Sequence, residues 1–322
     1  MEYVRCNLCG ADDTVVRYPC TVADGATGGL WSSFACTSSG YGCHHTIVQC
    51  RQCGLVYTNP RLDLHNMLDS YEAVEDALYL EERDGRVLTF EHHLRPLERL
   101  TGKPNGRLLL DVGCYIGVFV EIAAKHGWDA WGVDPSRWAV EQARARGLQV
   151  VQGTLETGSL PVSDCDMVTL WDVIEHVPNP RATLEHAWRL LKPGGLLVVH
   201  TIDIDSLFAR SMGARWPWLM EMHITYFSRR TLRAMLQRCG FEVISDRPQG
   251  RYLRLGYLAN RLGALMPWVG RPTEWVVSRL GLRGVRVPVN LGDLFTAYAR
   301  KLPAASSEKA MDALPLEPRT EL

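Results

Sequence analysis

A doubly wound α/β domain, with helices on both faces of a mostly parallel sheet and a small cysteine-rich unit in front of it, is the fold class this sequence predicts. Three observations carry that expectation. Short apolar runs alternate with helix-patterned stretches from Arg107 to His200, a glycine-rich turn follows the first run, and seven of the ten cysteines fall within the first 53 residues. The bulk composition agrees: 322 residues, 46% hydrophobic, with 35 Lys+Arg against 36 Asp+Glu for a net charge of -1. Such a chain is not disordered, collagen-like or coiled-coil, and it has no global field to attract nucleic acid or acidic lipid. No basic start leads into an apolar segment and no run of about eighteen apolar residues occurs, so a cytoplasmic protein, neither secreted nor membrane-spanning, is expected.

The first element, residues 1–60, holds two CxxC pairs, Cys6/Cys9 and Cys50/Cys53, each followed by glycine (Gly10, Gly54). Glycine there allows a tight turn that aims backbone amides at the sulfurs, which is how a zinc knuckle is built. Four thiolates about 2.3 Å from one Zn2+ close its coordination sphere, so the expected ion is structural. The 40 residues between the pairs exceed the usual gap of roughly 15 to 20 and must form an insertion. Its Cys20, Cys36, Cys43, His44 and His45 offer donors for a second ion, although unpaired thiols and surface histidines in a Gly/Ser-rich loop fit their irregular spacing better. A redox CxxC would open a helix after a strand, and neither pair has that setting.

From Asn59-Pro60 to about Leu100 the chain turns polar, acidic and helix-favouring, ending in Gly102-Lys103-Pro104-Asn105-Gly106. This predicts one or two linker or lid helices over 61–104, then a breaker. Residues 105–302 should form the main domain. Arg107 to Val112 reads as a buried parallel strand, Gly113 to Gly117 as a turn, and Val118 to His126 as a helix. Ala130 to Asp134, Gln149 to Val151, Asp166 to Trp171 and Leu196 to His200 repeat the strand signal, with helices from Ser136 to Arg146 and about Arg181 to Leu191. Ligands in such sheets bind beyond the carboxyl ends of the strands, which points to Asp111, Asp134, Gly153 and Asp172. Asp134 lies 23 residues after Asp111, near the roughly 20 expected of a ribose-binding carboxylate. A dinucleotide site wants GxGxxG facing a pyrophosphate; Asp111-Val112-Gly113-Cys114-Tyr115-Ile116-Gly117 instead ends its strand on an acid that suits a cationic amino group.

With Leu108 to Cys114 and Gly117, Gly132-Val133-Asp134-Pro135-Ser136, Asp172 to Val177, and Leu191-Lys192-Pro193-Gly194-Gly195, the chain resembles the class I S-adenosylmethionine-dependent methyltransferases. The resemblance covers about residues 105 to 300 and implies a Rossmann-like seven-stranded sheet. The leader resembles the zinc-ribbon segment of some bacterial methyltransferases that act on sugars, polysaccharides and natural products. The resemblance assigns Asp111, Gly113 and Gly117, with Cys114 and Tyr115 of the same loop, to the methionine and ribose side of the cofactor. It assigns Asp134 to the ribose hydroxyls, Thr154 and Leu155 to the adenine, and Trp171 and Asp172 to the pocket near the reacting centre. Tyr115 departs from the commoner glycine.

Methyl transfer to a hydroxyl or carbon needs a general base within hydrogen-bond reach, and histidine is the default at neutral pH. His223 lies in a His-x-x-Tyr-Phe-Ser run, with Tyr226, that resembles the acceptor border of related methyltransferases, just before a helix capped by Ser228. In related sugar C-methyltransferases a Glu precedes that histidine; here Met222 stands there and Glu221 is one place off. His176, after Glu175, is the second candidate base. Tyr71 and Tyr79 from the linker helices are expected to pack, and His44, His45, His92 and His93 to lie on the surface.

Between Arg247 and Arg286 eight arginines face a single acid, Glu274, among Trp268, Trp275 and several leucines. An amphipathic insertion near 250–287 of this kind can lie on an anionic membrane or receive a phosphate-bearing acceptor, or it can be a helical cap with its arginines in solvent. Leu291 to Arg300 should return as the last strand, and 303–322 as a disordered tail. The expected reaction is S-adenosylmethionine-dependent methyl transfer to a small-molecule, sugar or lipid-linked glycan acceptor, at a hydroxyl with a histidine base; C-methylation of a nucleotide sugar is the alternative. A nucleic-acid-binding zinc ribbon is disfavoured because residues 1–60 carry only Arg5, Arg17 and Arg51, and an NAD oxidoreductase is disfavoured by the loop.

Overall fold

The computed structural model describes residues 1–22, 34–35, 37–38, 40–157, 160–265 and 267–303. Cys36 and the expected tail from residue 304 lie outside the described residues. Strands β1 (Thr14–Tyr18), β2 (Ile47–Cys50) and β3 (Val56–Thr58) lead into helices α1 (Leu64–Glu72), α2 (Ala77–Glu81) and α3 (Arg83–Thr101). The linker thus forms three helices rather than one or two. The alternating region follows as β4 (Leu108–Val112), α4 (Val118–Lys125), β5 (Asp129–Asp134), α5 (Arg137–Arg144), β6 (Gln149–Gln152), β7 (Cys165–Trp171), α6 (Pro180–Leu190) and β8 (Leu191–Ile202). After α7 (Leu207–Met212) come β9 (Thr225–Tyr226), α8 (Arg229–Arg238), β10 (Phe241–Pro248), β11 (Arg251–Arg254), α9 (Leu255–Leu265), α10 (Pro267–Arg279), β12 (Arg286–Val289) and β13 (Leu294–Lys301).

The main sheet has seven strands in the order β10-β13-β8-β7-β4-β5-β6, with the β6, β5, β4, β7 and β8 neighbours parallel and β13 antiparallel to both of its neighbours. Leu109, Leu110, Met167, Val168 and Leu170 are fully buried, as strands covered by helices on both faces require. Strand order reverses between β4 and β7, so the crevice where a ligand binds opens beyond Val112 and Trp171. Local signals stop the chain at the right places. Ser136 caps α5, Asn179 caps α6 with Pro180 in its first turn, and Ser228 and Thr231 form a capping box on α8, each cap being worth about 1 kcal/mol.

A second sheet, β1-β2-β3-β9, takes its first three strands from the cysteine-rich leader and its fourth from the segment directly after His223. Val56 pairs with Tyr226 and Tyr57 with Thr225. One apolar layer runs through both units: Cys6, Leu8, Leu55 and Tyr57 pack with Leu184, Phe227, Leu232 and Met235.

The late insertion is a two-stranded ribbon, β11-β12, carrying the helical pair α9 and α10. Four of its arginines are engaged by the rest of the chain. Arg251 reaches Asp172 at 3.0 Å, Arg286 reaches Asp84 at 2.7 Å, Arg254 lies 3.6 Å from Glu82, and Arg261 donates to the Thr37 and Ser38 carbonyls. They bind the insertion to the lid helices and the leader. Trp268 and Trp275 remain about 79% and 68% exposed. Among the described residues, no helix is long and apolar enough to cross a membrane.

Candidate active site and cysteine cluster

The two CxxC turns are built alike. Gly10 N–H donates to the Cys6 carbonyl and Gly54 N–H to the Cys50 carbonyl, with φ of +78° and +77°, a region that glycine enters without steric cost. The turns bring Cys6 Sγ to 3.4 Å from Cys53 Sγ and Cys9 Sγ to 3.5 Å from Cys50 Sγ. Four sulfurs held about 2.3 Å from one ion sit about 3.8 Å apart, so this donor set fits a tetrahedral ion such as Zn2+. The hydrogen bond shared by Cys6 and Cys53 lowers the first thiol to about 6 and raises the second, and burial raises Cys9 to about 12. The second set does not converge. Among the described residues, Cys20, Cys43, His44 and His45 form no common cluster; His44 is buried, not on the surface, with Nδ1 held by the His45 carbonyl.

Two cavities of about 370 and 290 Å³ meet beneath the lid helices, sharing Gly113, Tyr115, Asp172, His176 and Met222. The larger is walled by Asp134, Ser136, Thr154, Leu155, Tyr71 and Val74, the smaller by Asp111, Cys114, Trp171, Glu175, His200, His223 and Arg251. The structure thus gathers nearly all the candidate cofactor residues around two adjoining cavities. Gly117 is the exception among them. It lines neither cavity, and at φ +75° it starts α4 so close to Leu148 that a Cβ would fall 2.7 Å from that side chain.

Asp134, at the end of β5, accepts from the Tyr115 and Ser136 amides at 2.7 and 2.9 Å, one oxygen each, which leaves a second lone pair on both oxygens. Burial lifts its carboxyl to about 6. Asp111 is buried to 2% exposure, accepts from Thr169 Oγ1 at 2.6 Å, and is pushed by that burial to about 8. A cationic, hydroxyl-bearing ligand would lower the energy of both carboxylates.

Across the junction stand two imidazoles with ring centres 4.8 Å apart. His176 Nδ1–H donates to the Met222 carbonyl at 2.9 Å and His223 Nδ1–H to the Trp218 carbonyl at 2.7 Å, which leaves Nε2 of each ring as the lone pair open to an acceptor. Burial and the adjacent His176 hold His223 down at about 3, and burial lowers His176 too, so both are neutral. Tyr226, the third candidate, does not join them. It is fully buried under β3, its hydroxyl donates to the Met220 carbonyl at 3.2 Å, and it lines neither cavity.

The sequence reading missed a buried polar group behind Trp171. His200, two residues before the end of β8, has Nδ1 2.8 Å from Thr296 Oγ1 and Nε2 3.6 Å from Asp172, and Arg251 reaches Asp172 from the insertion. Burial opposes the charge of Asp172, but Arg251, His200, Arg86 and His176 together outweigh it and hold the carboxyl near 2. His93, expected on the surface, is 2% exposed: α3 turns Gly85, Thr89, His93 and Leu97 inward at four-residue spacing, and His93 bonds the Gly250 carbonyl at 2.9 Å beside Trp171. His92, one residue earlier, does lie outside. The signals existed, since His200 sits near a strand's carboxyl end and His93 on the buried helical stripe.

A family model described as a methyltransferase domain matches residues 79–246, just over half of the chain. The chain belongs to this methyltransferase family. Among characterised relatives it is 31% identical over 150 residues to a ubiquinone biosynthesis O-methyltransferase of Bordetella avium, covering 42% of this chain and 60% of that one. It is 37% identical over 105 residues to the enzyme of the same name from Methylococcus capsulatus, covering 30% and 44%. The chain therefore spans roughly half of the length of the curated relatives it matches. A solved structure from Thermotoga maritima, described as a methyltransferase that is possibly a histamine N-methyltransferase, has a TM-score of 0.44 at 23% identity over 68% of this chain and 90% of that one. The seven-stranded methyltransferase sheet, with its crevice at the β4/β7 reversal, is the domain to which the site belongs.

Proposed function

We propose that this chain is an S-adenosylmethionine-dependent O-methyltransferase acting on a hydroxyl of a small molecule, with a structural Zn2+ in its Cys6/Cys9/Cys50/Cys53 cluster. The observation that supports the reading best is that two cavities sharing Gly113, Tyr115, Asp172, His176 and Met222 in their walls bring Asp134 and Asp111 at the strand ends near the His176/His223 pair. S-adenosylmethionine supplies an electrophilic methyl group on a sulfonium. Asp134 accepts from the ribose hydroxyls, Asp111 faces the cationic methionine end, and Thr154 and Leu155 border the adenine. His223 Nε2, steered by its Nδ1 bond to Trp218, accepts the proton of the acceptor hydroxyl as it attacks, with His176 Nε2 beside it. Trp171, Phe90 and the lid helices keep water away from the transfer, which is largely a matter of alignment.

The wall of Phe90, Trp218, Tyr252 and Tyr257 suits an acceptor with a flat or apolar body, sugar rings and lipid-linked substrates included. The ubiquinone-named relatives support O-transfer over C-transfer, as does Met222 in the place of an acid. Exposed Trp268 and Trp275 on α10 would suit contact with the surface that a lipid-linked acceptor occupies. Thiolate ligation requires reduced cysteines, in keeping with the cytoplasm.

Calorimetric titration tests this reading directly. S-adenosylmethionine and S-adenosylhomocysteine should bind at micromolar concentration and NAD should not. Asp134→Ala should weaken both at least tenfold, the loss of about 1.4 kcal/mol expected of charge-assisted hydrogen bonds; binding of NAD alone would overturn the assignment.

The two raised carboxyls give a pH signature. Each binds its ligand group when ionised, so affinity for S-adenosylhomocysteine should rise as pH climbs through about 6 and again through about 8. Each step should approach a factor of about ten per pH unit below its midpoint. Asp134→Asn should remove the lower step alone. An affinity flat from pH 5 to 9 would show that neither carboxylate touches the ligand.

A further inference from the structure

We propose that Glu175, His176 and His223 bind a divalent transition-metal ion in the acceptor cavity, separate from the ion of the cysteine cluster. One ligand atom from each residue lies within 4.8 Å of the other two. Three nitrogen and oxygen donors about 2.1 Å from a common ion stand about 3.0 to 3.4 Å apart, so small side-chain rotations close the set.

Each ligand already has an outer partner. Thr201 Oγ1 donates to Glu175 Oε2 at 2.8 Å, the Met222 carbonyl takes Nδ1–H of His176, and the Trp218 carbonyl takes Nδ1–H of His223. These bonds fix both ring tautomers with Nε2 as the free donor and leave Oε1 of the carboxylate, the arrangement found behind metal-ligating histidines. The backbone joins the two loops as well, because Ile224 and Thr225 N–H both donate to the Glu175 carbonyl at 3.0 Å. Two imidazole nitrogens and the buried Glu175 carboxyl share one corner of the cavity, with the nearby Arg251 guanidinium turned to Asp172.

Two imidazoles and one carboxylate suit Mn2+, Fe2+ or Zn2+, and three protein ligands leave positions open on the cavity side. The proposal rests on the methyl-transfer reading for its chemistry. The acceptor oxygen binds the ion and its O–H proton leaves to water. That oxygen then forms the C–O bond with the methyl carbon as the C–S bond breaks, and the sulfonium leaves as a neutral thioether. In the loaded enzyme the two histidines act through the ion instead of taking the proton themselves.

Mn2+ is the discriminating probe, since it prefers nitrogen and oxygen donors and leaves the four thiolates to zinc. The full chain with its cysteine cluster loaded is titrated with Mn2+ and free Mn2+ is read by electron paramagnetic resonance, while S-adenosylhomocysteine binding is measured on the same samples. One Mn2+ per chain is expected, with affinity at least tenfold lower in Glu175→Gln, His176→Gln and His223→Gln, and about tenfold lower in Thr201→Val, which keeps every ligand. S-adenosylhomocysteine binding within about twofold of the parent identifies the folded variants. Failure of the parent to bind Mn2+, or the same Mn2+ affinity in the folded variants, overturns the site. Mn2+ binding without S-adenosylhomocysteine binding would leave the site standing and remove the methyl-transfer reading.

Discussion

His223→Gln is expected to lower kcat by about 10² to 10⁴, the range associated with a positioned proton acceptor, while S-adenosylhomocysteine affinity stays within about twofold. The split follows from position. His223 stands at the junction on the acceptor side, whereas the carboxylates assigned to the ribose and the methionine end belong to β4 and β5. The residue is also held at two points, its ring by the Trp218 carbonyl on Nδ1 and its backbone carbonyl by Thr58 Oγ1, which donates to it at 3.3 Å. Gln can repeat the first bond but offers no imidazole lone pair to the acceptor. The loss should therefore fall on kcat with KM nearly unchanged. Single-turnover kinetics with saturating cofactor would measure it, and undiminished turnover would remove His223 from the chemistry both as a base and as a metal ligand.

Cys50→Ser is expected to have the second largest effect, and it should act at a distance. Zinc binding contributes about 10 to 16 kcal/mol to folding in small thiolate domains, as much as the whole stability of an ordinary domain, so the leader should not hold its sheet without the ion. Its β3 strand pairs with β9, and Thr58 N–H donates to the Ile224 carbonyl at 2.9 Å, next to His223. Loss of the ion should thus release the acceptor wall first. The expected result is a chain whose zinc content drops by one equivalent, whose turnover falls at least a hundredfold, and whose S-adenosylhomocysteine binding survives. Full turnover in a zinc-free chain would show that the leader does not position the site.

The parts of the fold that were legible in the sequence are those fixed by neighbours in the chain. The strand ends at Asp111, Asp134 and Trp171, the two cysteine turns and the Ser228 cap each depend on a few consecutive residues, and the structure has them where the pattern put them. What stayed hidden depends on contacts across the chain. Nothing local distinguishes Arg251 from the other arginines of its segment; its partner Asp172 is 79 residues away. Tyr226 shares a motif with His223 and its ring lies edge-on 6.3 Å from the histidine ring, but its hydroxyl is spent on the Met220 carbonyl and neither cavity reaches it. The glutamate in the Asp172 to Val177 motif was read as part of a family pattern, and its neighbour role to His223 needed the fold.

The β3 and β9 pairing has a consequence for how the protein is made. Val56 and Tyr226 are 170 positions apart, so at about 5 to 20 residues per second the cysteines wait roughly ten to thirty seconds before their sheet receives its last strand. Throughout that interval the four thiols lack the strand that borders their sheet in the finished fold. The leader is thus synthesised well before its sheet can be completed, and the pairing that completes it lies directly beside His223.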